Sequence, residues 1–170
     1  MPKTLAATDV QKLLDGLAAR LVEAGLRHDT ALIGIRARGA PLAERLAQRL
    51  RPLVGLALPV GSLDITFYRD DLALRRNWPT VRGSAIPFEL DGRDVILVDD
   101  VLHTGRTIVA AIRALLDLGR PARLRLVALV ERGGREFPIQ ADFAGMSTEA
   151  AARVQVHLQE TDGADEVVIP

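Results

Sequence analysis

A buried apolar segment that leads into two carboxylates and a glycine-containing turn is the part of this sequence best suited to chemistry. Residues 95–107 read VILVDDVLHTGRT, so Asp99 and Asp100 follow the apolar run and Thr104 and Gly105 form the turn. A helix that begins after such a turn offers unpaired backbone N–H groups and the positive end of its dipole. Because glycine also lets an anion approach the backbone closely, the turn predicts a phosphate site.

The two carboxylates lie beside the predicted phosphate site with the wrong charge to bind it. Asp99 and Asp100 are suited instead to a neutral hydroxylated group such as a ribose diol, or to a Mg²⁺ ion shared with a pyrophosphate. The predicted ligand is therefore a sugar phosphate with vicinal hydroxyls. The alternative is structural, with the Asp pair capping the following helix and Thr-Gly forming only the turn.

A second segment with phosphate-binding chemistry is Arg36-Ala37-Arg38-Gly39, which follows the short apolar run 31–35. In an open α/β sheet, ligands bind outside the carboxyl ends of the strands. Two guanidinium groups are therefore expected at the same sheet edge as the Asp pair, where their planar forks suit phosphate. The alternative is two solvated arginines at the start of a helix.

The elements that must position these residues are predicted from apolar spacing and from Gly, Pro and capping residues. They are a helix from Thr8 or Asp9 to about Ala24, a strand over 31–35, a helix from about Pro41 to Leu50, one or two strands within 54–68, a strand over 95–98, a helix from about Arg106 to Leu118, a strand over 124–130, and short strands over 154–158 and 167–169. Strands that alternate with helices predict an α/β fold with a mostly parallel sheet. The polar stretch 69–85 has no clear period and is predicted to be a long mobile loop or an irregular hairpin. Loops of this length in a compact domain are usually functional.

Composition narrows the classes of protein that the chain can belong to. Its 170 residues predict one domain over 1–170, with 48% hydrophobic and 26% charged residues. With 22 basic and 22 acidic residues the net charge is zero, which disfavours binding of nucleic acid by overall charge. The absence of cysteine excludes disulfides and thiolate metal sites. No apolar run approaches the ~20 residues of a membrane span, and we expect a cytoplasmic protein.

Four segments together resemble a known family. VILVDDVLHTGRT resembles the phosphoribosyl-pyrophosphate (PRPP) signature of type I phosphoribosyltransferases, and most of the chain resembles the PyrR family of pyrimidine operon regulators and uracil phosphoribosyltransferases. The other matching segments are GIRARG at 34–39, DITFYRDDL at 64–72 and RGGREFPIQADF at 132–143. The DITFYRDDL pattern is specific to the family, whereas the PRPP signature alone indicates only the superfamily.

The resemblance implies a fold and two functions. The fold is the type I phosphoribosyltransferase fold, with a mostly parallel central sheet flanked by helices, a small hood from the N- and C-terminal parts and a flexible lid loop at about 69–85. The functions are conversion of uracil and PRPP to UMP and pyrophosphate with Mg²⁺, and regulation of transcription attenuation through UMP- or UTP-responsive binding of the pyrimidine-operon mRNA leader. It also implies a homodimer or a larger homo-oligomer. The alternatives are a purine-type phosphoribosyltransferase or a nucleotide-sensing RNA regulator with little catalysis.

The resemblance also implies roles for individual residues. The catalytic set is Asp99, Asp100, Arg69 and His103, with Asp99 and Asp100 reaching Mg²⁺ indirectly through PRPP. The residues expected to bind PRPP or nucleotide are Arg36, Arg38, Gly39, Asp99, Asp100, Val101, Leu102, His103, Thr104, Gly105, Arg106 and Thr107. The expected base pocket is Val130, Glu131, Arg132, Phe143 and Ala144. The expected RNA contacts are Arg20, Arg132 and Arg135.

The chain departs from the family pattern at several of its functional positions. Family members often have Thr at Ala37 and usually have Tyr at His103. This histidine either handles a proton or contacts phosphate, or is a plain aromatic-like substitute. At four positions where RNA-binding members of the family carry their RNA-binding residues, this chain has a different residue. These are Gly16, Ala19, Gly134 and Gln140. We therefore expect catalysis to be retained and RNA affinity to be weakened or altered.

Overall fold

The computed structural model describes residues 2–74, 83–149 and 153–170. In chain order its elements are β1 (Lys3–Leu5), α1 (Ala7–Glu23), β2 (Thr30–Ile35), α2 (Gly39–Val54), β3 (Val60–Leu63), two 3₁₀ turns (Thr66–Tyr68 and Leu72–Leu74), β4 (Asp94–Leu102), α3 (Arg106–Leu118), β5 (Arg123–Arg132), β6 (Phe143–Thr148), β7 (Gln155–His157), α4 (Gln159–Asp162) and β8 (Glu166–Ile169). Within these ranges no helix is both long enough and apolar enough to cross a membrane.

A five-stranded parallel sheet forms the centre of the fold, in the strand order β3-β2-β4-β5-β6. Helices α1 and α2 cover one face and α3 covers the other, so the predicted α/β fold with a parallel sheet is confirmed. A separate antiparallel sheet, in the order β1-β8-β7, joins the two ends of the chain.

The central strand β4 is covered on both faces, as its unbroken apolar run predicts. Val95 and Leu97 pack in the core beneath α3, whereas Ile96 and Val98 pack in the core beneath α1 and α2. All four side chains are at most 1% exposed. The strand is thereby fixed between two hydrophobic layers, and Asp99 lies near its carboxyl end.

Several boundaries differ from the predictions. β4 continues to Leu102 because Val101 and Leu102 still pair with β5, so the Asp pair lies within the strand and not after it. Strands β1 and β6 were not predicted; β6 is a half-exposed edge strand whose sequence, FAGMST, lacks the alternation of a typical strand. The range 54–68 contains a single strand, β3. Of the predicted lid loop at 69–85, residues 75–82 lie outside the described residues.

A buried carboxylate ties together the amino ends of three strands, at the edge opposite Asp99. Asp94 has no exposed side-chain surface and accepts hydrogen bonds from Thr30 at 2.8 Å, Arg123 at 2.8 Å and Arg125 at 2.8 Å. Burial alone would raise the pKa of Asp94, but the hydrogen bonds from Arg123 and Thr30 outweigh it and lower the pKa. The ionised carboxylate is therefore the counter-charge of the buried Arg125.

Asp94→Asn should destabilise the fold by about 3–5 kcal/mol at pH 7, because it leaves a buried guanidinium without its counter-charge. Since the folded pKa of Asp94 is lowered, its stabilisation is present above the unfolded pKa and is lost as pH falls through the folded value. Urea unfolding at pH 7 and pH 3 measures both effects. Asp15→Asn, at a carboxylate that is 67% exposed, is the control and should change stability by less than about 1 kcal/mol. Equal stability of the two variants at pH 7 would contradict the assignment.

Candidate active site

A polar cleft of about 360 Å³ opens where β2, β3 and β4 end and α3 begins. The loop after β2 contributes Arg36 and Arg38, β4 contributes Asp99 and Asp100, and α3 contributes Thr107. The structure thus brings the basic segment and the acidic pair to one sheet edge, as their positions after parallel strands predict.

The two carboxylates at the cleft differ in environment. Asp99 is 6% exposed, and one of its oxygens accepts the backbone N–H of Asp100 at 3.0 Å. Asp100 is half-buried and accepts the N–H of Val101 at 2.8 Å. Burial, followed by the adjacent Asp100 carboxylate, raises the pKa of Asp99 well above its usual value, and Arg69 opposes the shift. A ligand that brings hydroxyl donors or a cation to this pair would stabilise its ionised form.

The loop between β2 and α2 lies directly on the backbone of its neighbours. A Cβ on Gly34 would collide with the backbone carbonyl of Gly39, and a Cβ on Gly39 would collide with the carbonyl of Val98. The peptide bond between Arg36 and Ala37 is cis. Only glycine at both positions allows this close packing, which places the loop against the strand that carries Asp99.

The two arginines of this loop differ in their partners. Arg38 donates from Nε and Nη2 to Asp162 at 3.1 and 2.8 Å. The buried Nε of Arg36 has no hydrogen-bond partner among the described residues. A buried donor left unpaired is costly, so Arg36 is the group in the cleft best prepared to receive an anion. The orphaned donor and the nearby carboxylates fit a ligand with both a pyrophosphate and hydroxyl groups.

The turn before α3 has the geometry of a phosphate site. Gly105 has φ +91°, a left-handed conformation that favours glycine, and it precedes the first residue of a 13-residue helix. Thr104 Oγ1 accepts the N–H of Arg106 at 3.3 Å, and Thr107 lines the cleft. Leu102, which was predicted to bind the ligand, is 1% exposed and belongs to the core, so its side chain does not reach the cleft.

The segment after the first 3₁₀ turn borders the cleft with charged side chains that all form ion pairs. Arg69 lines the cleft and donates to both oxygens of Asp71 at 2.8 Å. Arg106 bonds to Asp70 and to Glu136, at 2.5 and 2.9 Å. This segment is thereby tied to the phosphate turn through Arg106.

His103 does not line the cleft. A Cβ at Gly134 would lie 2.9 Å from Nε2 of His103, so the imidazole occupies the space that a side chain at 134 would need. Burial, followed by the charges of Arg132 and Arg135, lowers the pKa of His103, against the opposing effect of Glu136. The ring is therefore neutral at pH 7.

The predicted base-pocket residues do not converge. Val130 is fully buried in the core, and Glu131 is paired with Arg135 at 2.6 Å. In the pairing of β5 with β6, Phe143 and Ala144 lie beside Val127 and Ala128, several residues before the end of β5. The residues of β6 that lie beside Glu131 and Arg132 are Ser147 and Thr148. The register of an edge strand decides this placement, and the sequence contains no pattern that predicts it.

The predicted RNA contacts are engaged within the chain. Arg20 donates to the carbonyl of Ala144 at 2.8 Å and lies 5.7 Å from the centre of the Phe143 ring. Arg135 bonds to the carbonyl of His103 and to Glu131, and Arg132 ends β5. The positions on α1 that adjoin Arg20 and are exposed are Gly16 and Ala19.

The polar residues of the cleft that were not assigned from the sequence are Asp64 and Thr66. Asp64 accepts the N–H of Thr66 and the N–H of Gly83, both at 2.9 Å, and so bonds to residues on both sides of the stretch 75–82. Both residues lie in DITFYRDDL, so the segment itself indicated them. Asp162 is 124 residues from its partner Arg38 and no local pattern indicates it.

Within the described ranges, no three His, Asp or Glu side chains come together as a metal cage. Two adjacent carboxylates at the cleft are nonetheless hard oxygen donors of the kind that Mg²⁺ prefers. Since Mg²⁺ is commonly bound by one or two carboxylates together with substrate phosphates, Asp99 and Asp100 fit a cation that arrives with its ligand.

Comparisons with known proteins agree with this geometry. The family model described as "Phosphoribosyl transferase domain" matches residues 5–161. The "Bifunctional protein PyrR" of Chloroflexus aurantiacus is 52% identical over 97% of this chain and 92% of its own, and that of Roseiflexus sp. is 51% identical over 94% and 88%. The crystal structure of a purine phosphoribosyltransferase from Pyrococcus horikoshii is similar with a TM-score of 0.64 and 26% identity, covering 85% of this chain and 86% of that one.

The family match spans most of the chain and includes the two loops and the acidic pair that form the cleft. With this coverage and identity, the chain belongs to the phosphoribosyl transferase domain family and, within it, to the PyrR family.

Proposed function

We propose that this protein transfers the phosphoribosyl group of PRPP to uracil, giving UMP and pyrophosphate, and that it also regulates pyrimidine-operon transcription by binding mRNA in response to UMP or UTP. The enzymatic proposal is supported mainly by Arg36, whose buried Nε is unpaired among the described residues. Arg36 lines the same cleft as Asp99 and Asp100. The identity to proteins named bifunctional PyrR supports both parts.

Each part of PRPP has a matching group in the cleft. The helix start at Gly105 to Thr107 suits the 5′-phosphate through backbone N–H groups. Asp99 and Asp100 suit the ribose hydroxyls. Arg36 suits the pyrophosphate, with Arg38 beside it. This arrangement fixes the ribose between two anion sites, so that its C1 is exposed to an incoming base.

The reaction exchanges one bond at C1 of the ribose for another. The bond from C1 to the pyrophosphate oxygen breaks, the bond from C1 to N1 of uracil forms, and the N1 proton of uracil is released. The arginine beside the pyrophosphate stabilises the negative charge that develops on the leaving group. When bound with PRPP, Mg²⁺ would supply further charge neutralisation to the pyrophosphate.

For His103 we infer a supporting role, because its neutral ring packs over Gly134 and its carbonyl accepts a bond from Arg135. The base pocket is proposed at the carboxyl ends of β5 and β6, where Glu131 and Arg132 lie beside Ser147 and Thr148. The homodimer or larger assembly and the cytoplasmic location remain predictions from the family resemblance.

One structural feature favours a response of the proposed RNA surface to nucleotide. The segment that carries Arg135 is bonded directly to the phosphate turn, since the N–H groups of Glu136 and Phe137 donate to the carbonyl of Thr104 at 3.0 and 2.9 Å. Arg135 itself bonds to the carbonyl of His103. A phosphate that orders the turn would therefore also order this segment.

The purified protein should convert labelled uracil to UMP in the presence of PRPP and Mg²⁺, because the cleft has a group for each part of PRPP. Hypoxanthine, guanine and orotate should compete poorly. Asp100→Asn is the negative control and should lose turnover by a factor of at least about 10². Turnover of hypoxanthine or guanine in preference to uracil would instead establish the purine-type alternative, and binding of UMP without any turnover would establish a sensor.

RNA binding should be stimulated by UMP but weak, with a dissociation constant above about 10⁻⁸ M at physiological salt. Filter binding with a hairpin from a pyrimidine-operon leader, across a salt series, measures it. If Arg132 contacts a phosphate, Arg132→Ala should lower the salt slope by about 1. Arg120→Ala, two residues beyond the end of α3 that lies away from the cleft, is the control. Tight UMP-dependent binding would contradict the prediction of weakened RNA affinity. RNA binding whose affinity does not change with UMP would contradict the regulatory proposal.

A further inference from the structure

A carboxylate from the C-terminal part of the chain holds one arginine of the cleft. Asp162, the last residue of α4, accepts hydrogen bonds from Nε and Nη2 of Arg38 at 3.1 and 2.8 Å. The two side chains are 21% and 35% exposed, so the pair is partly shielded from water. Such bidentate arginine–carboxylate pairs are stronger and better defined than single hydrogen bonds.

Two groups besides Arg38 also hold the carboxylate of Asp162 in place. It accepts the backbone N–H of Leu158 at 2.9 Å and the hydroxyl of Thr161 at 2.6 Å. The hydrogen bond from Arg38, and after it those from Thr161 and Leu158, lower the pKa of Asp162. The carboxylate is therefore ionised and oriented at every working pH.

The segment that carries Asp162 is attached to α2 at a second point. Arg45, two turns along α2 from Arg38, bonds to Glu160 at 2.6 Å and to Asp165 at 2.8 Å. The side chain of Arg45 is 12% exposed. Because both ends of the segment are attached to the same helix, Asp162 has a fixed position relative to the start of α2.

The geometry leaves one edge of the Arg38 guanidinium available. Nε and Nη2 bond to Asp162, whereas Nη1 takes no part in this pair, and Arg38 lines the cleft together with Asp99 and Asp100. We propose that Asp162 is a positioning residue that orients Arg38 so that this free edge binds the pyrophosphate of PRPP. The inference rests on the proposed transferase function and adds to it a residue from outside the four family segments.

Asp162→Asn should raise the KM for PRPP about tenfold and leave kcat within about twofold, because it loosens one substrate contact and touches no reacting atom. Inhibition by pyrophosphate should weaken by the same factor, whereas UMP, which has no pyrophosphate, should bind unchanged. Asp162→Glu should restore part of the affinity. Asp29→Asn is the matched control, because Asp29 makes the same bidentate pair with Arg27 at the opposite edge of the sheet.

A second variant tests the pair from its other side. Arg38→Lys keeps the charge but loses the planar fork, and it should raise the KM for PRPP by a similar factor. In the double variant with Asp162→Asn the two effects should not add, because both disrupt one unit. Thermal unfolding of each variant separates loss of folding from loss of positioning.

Other results would overturn the inference. An unchanged KM for PRPP in Asp162→Asn would show that the pair is structural only. A lowered KM would show that Asp162 competes with pyrophosphate for Arg38. If the wild type has no turnover, the transferase proposal fails separately, and calorimetric titration of pyrophosphate into wild type and Asp162→Asn still tests the positioning role.

Discussion

The close packing of the β2–α2 loop on β4 is the constraint on which the candidate site depends. The backbone of Gly39 lies so near the carbonyl of Val98 that no Cβ fits between them, and Gly34 makes the same kind of approach to Gly39. Because of this contact, the loop that carries Arg36 and the strand that carries Asp99 share one edge with no side chain separating their backbones. The hydrophobic layers on both faces of β4 hold that edge in place.

The charges around the cleft are distributed unevenly between paired and unpaired groups. Arg38 and Arg69 each have a carboxylate partner, whereas the buried Nε of Arg36 has no partner among the described residues. On the acidic side, burial and repulsion by Asp100 raise the pKa of Asp99. The cleft therefore holds an arginine with an unpaired donor and a carboxylate whose ionised form is destabilised. A ligand with both anionic and hydroxyl groups would stabilise both.

The central strand and the two ligand loops were predictable from sequence, because each is specified by residues that are neighbours in the chain. The run Val95–Val98, the Asp pair and the glycine turn are local patterns, and their meeting follows from parallel strands sharing one edge. Contacts set by distant register were not predictable. Phe143 and Ala144 are displaced from the proposed base edge by the pairing of an edge strand, and Asp162 reaches Arg38 from the far end of the chain. The packing of His103 on Gly134 likewise exists only in three dimensions.

Calorimetric titration of Mg²⁺-PRPP into Arg36→Gln is the measurement that tests the central claim most directly. The variant removes the guanidinium of Arg36, a residue that lines the cleft, and Arg27→Gln, at an exposed arginine before β2, is its control. Our account predicts that Arg36→Gln loses at least about tenfold in PRPP affinity, as expected for a charged hydrogen bond to an anion, while UMP affinity is retained. Wild-type affinity for PRPP in Arg36→Gln would contradict it.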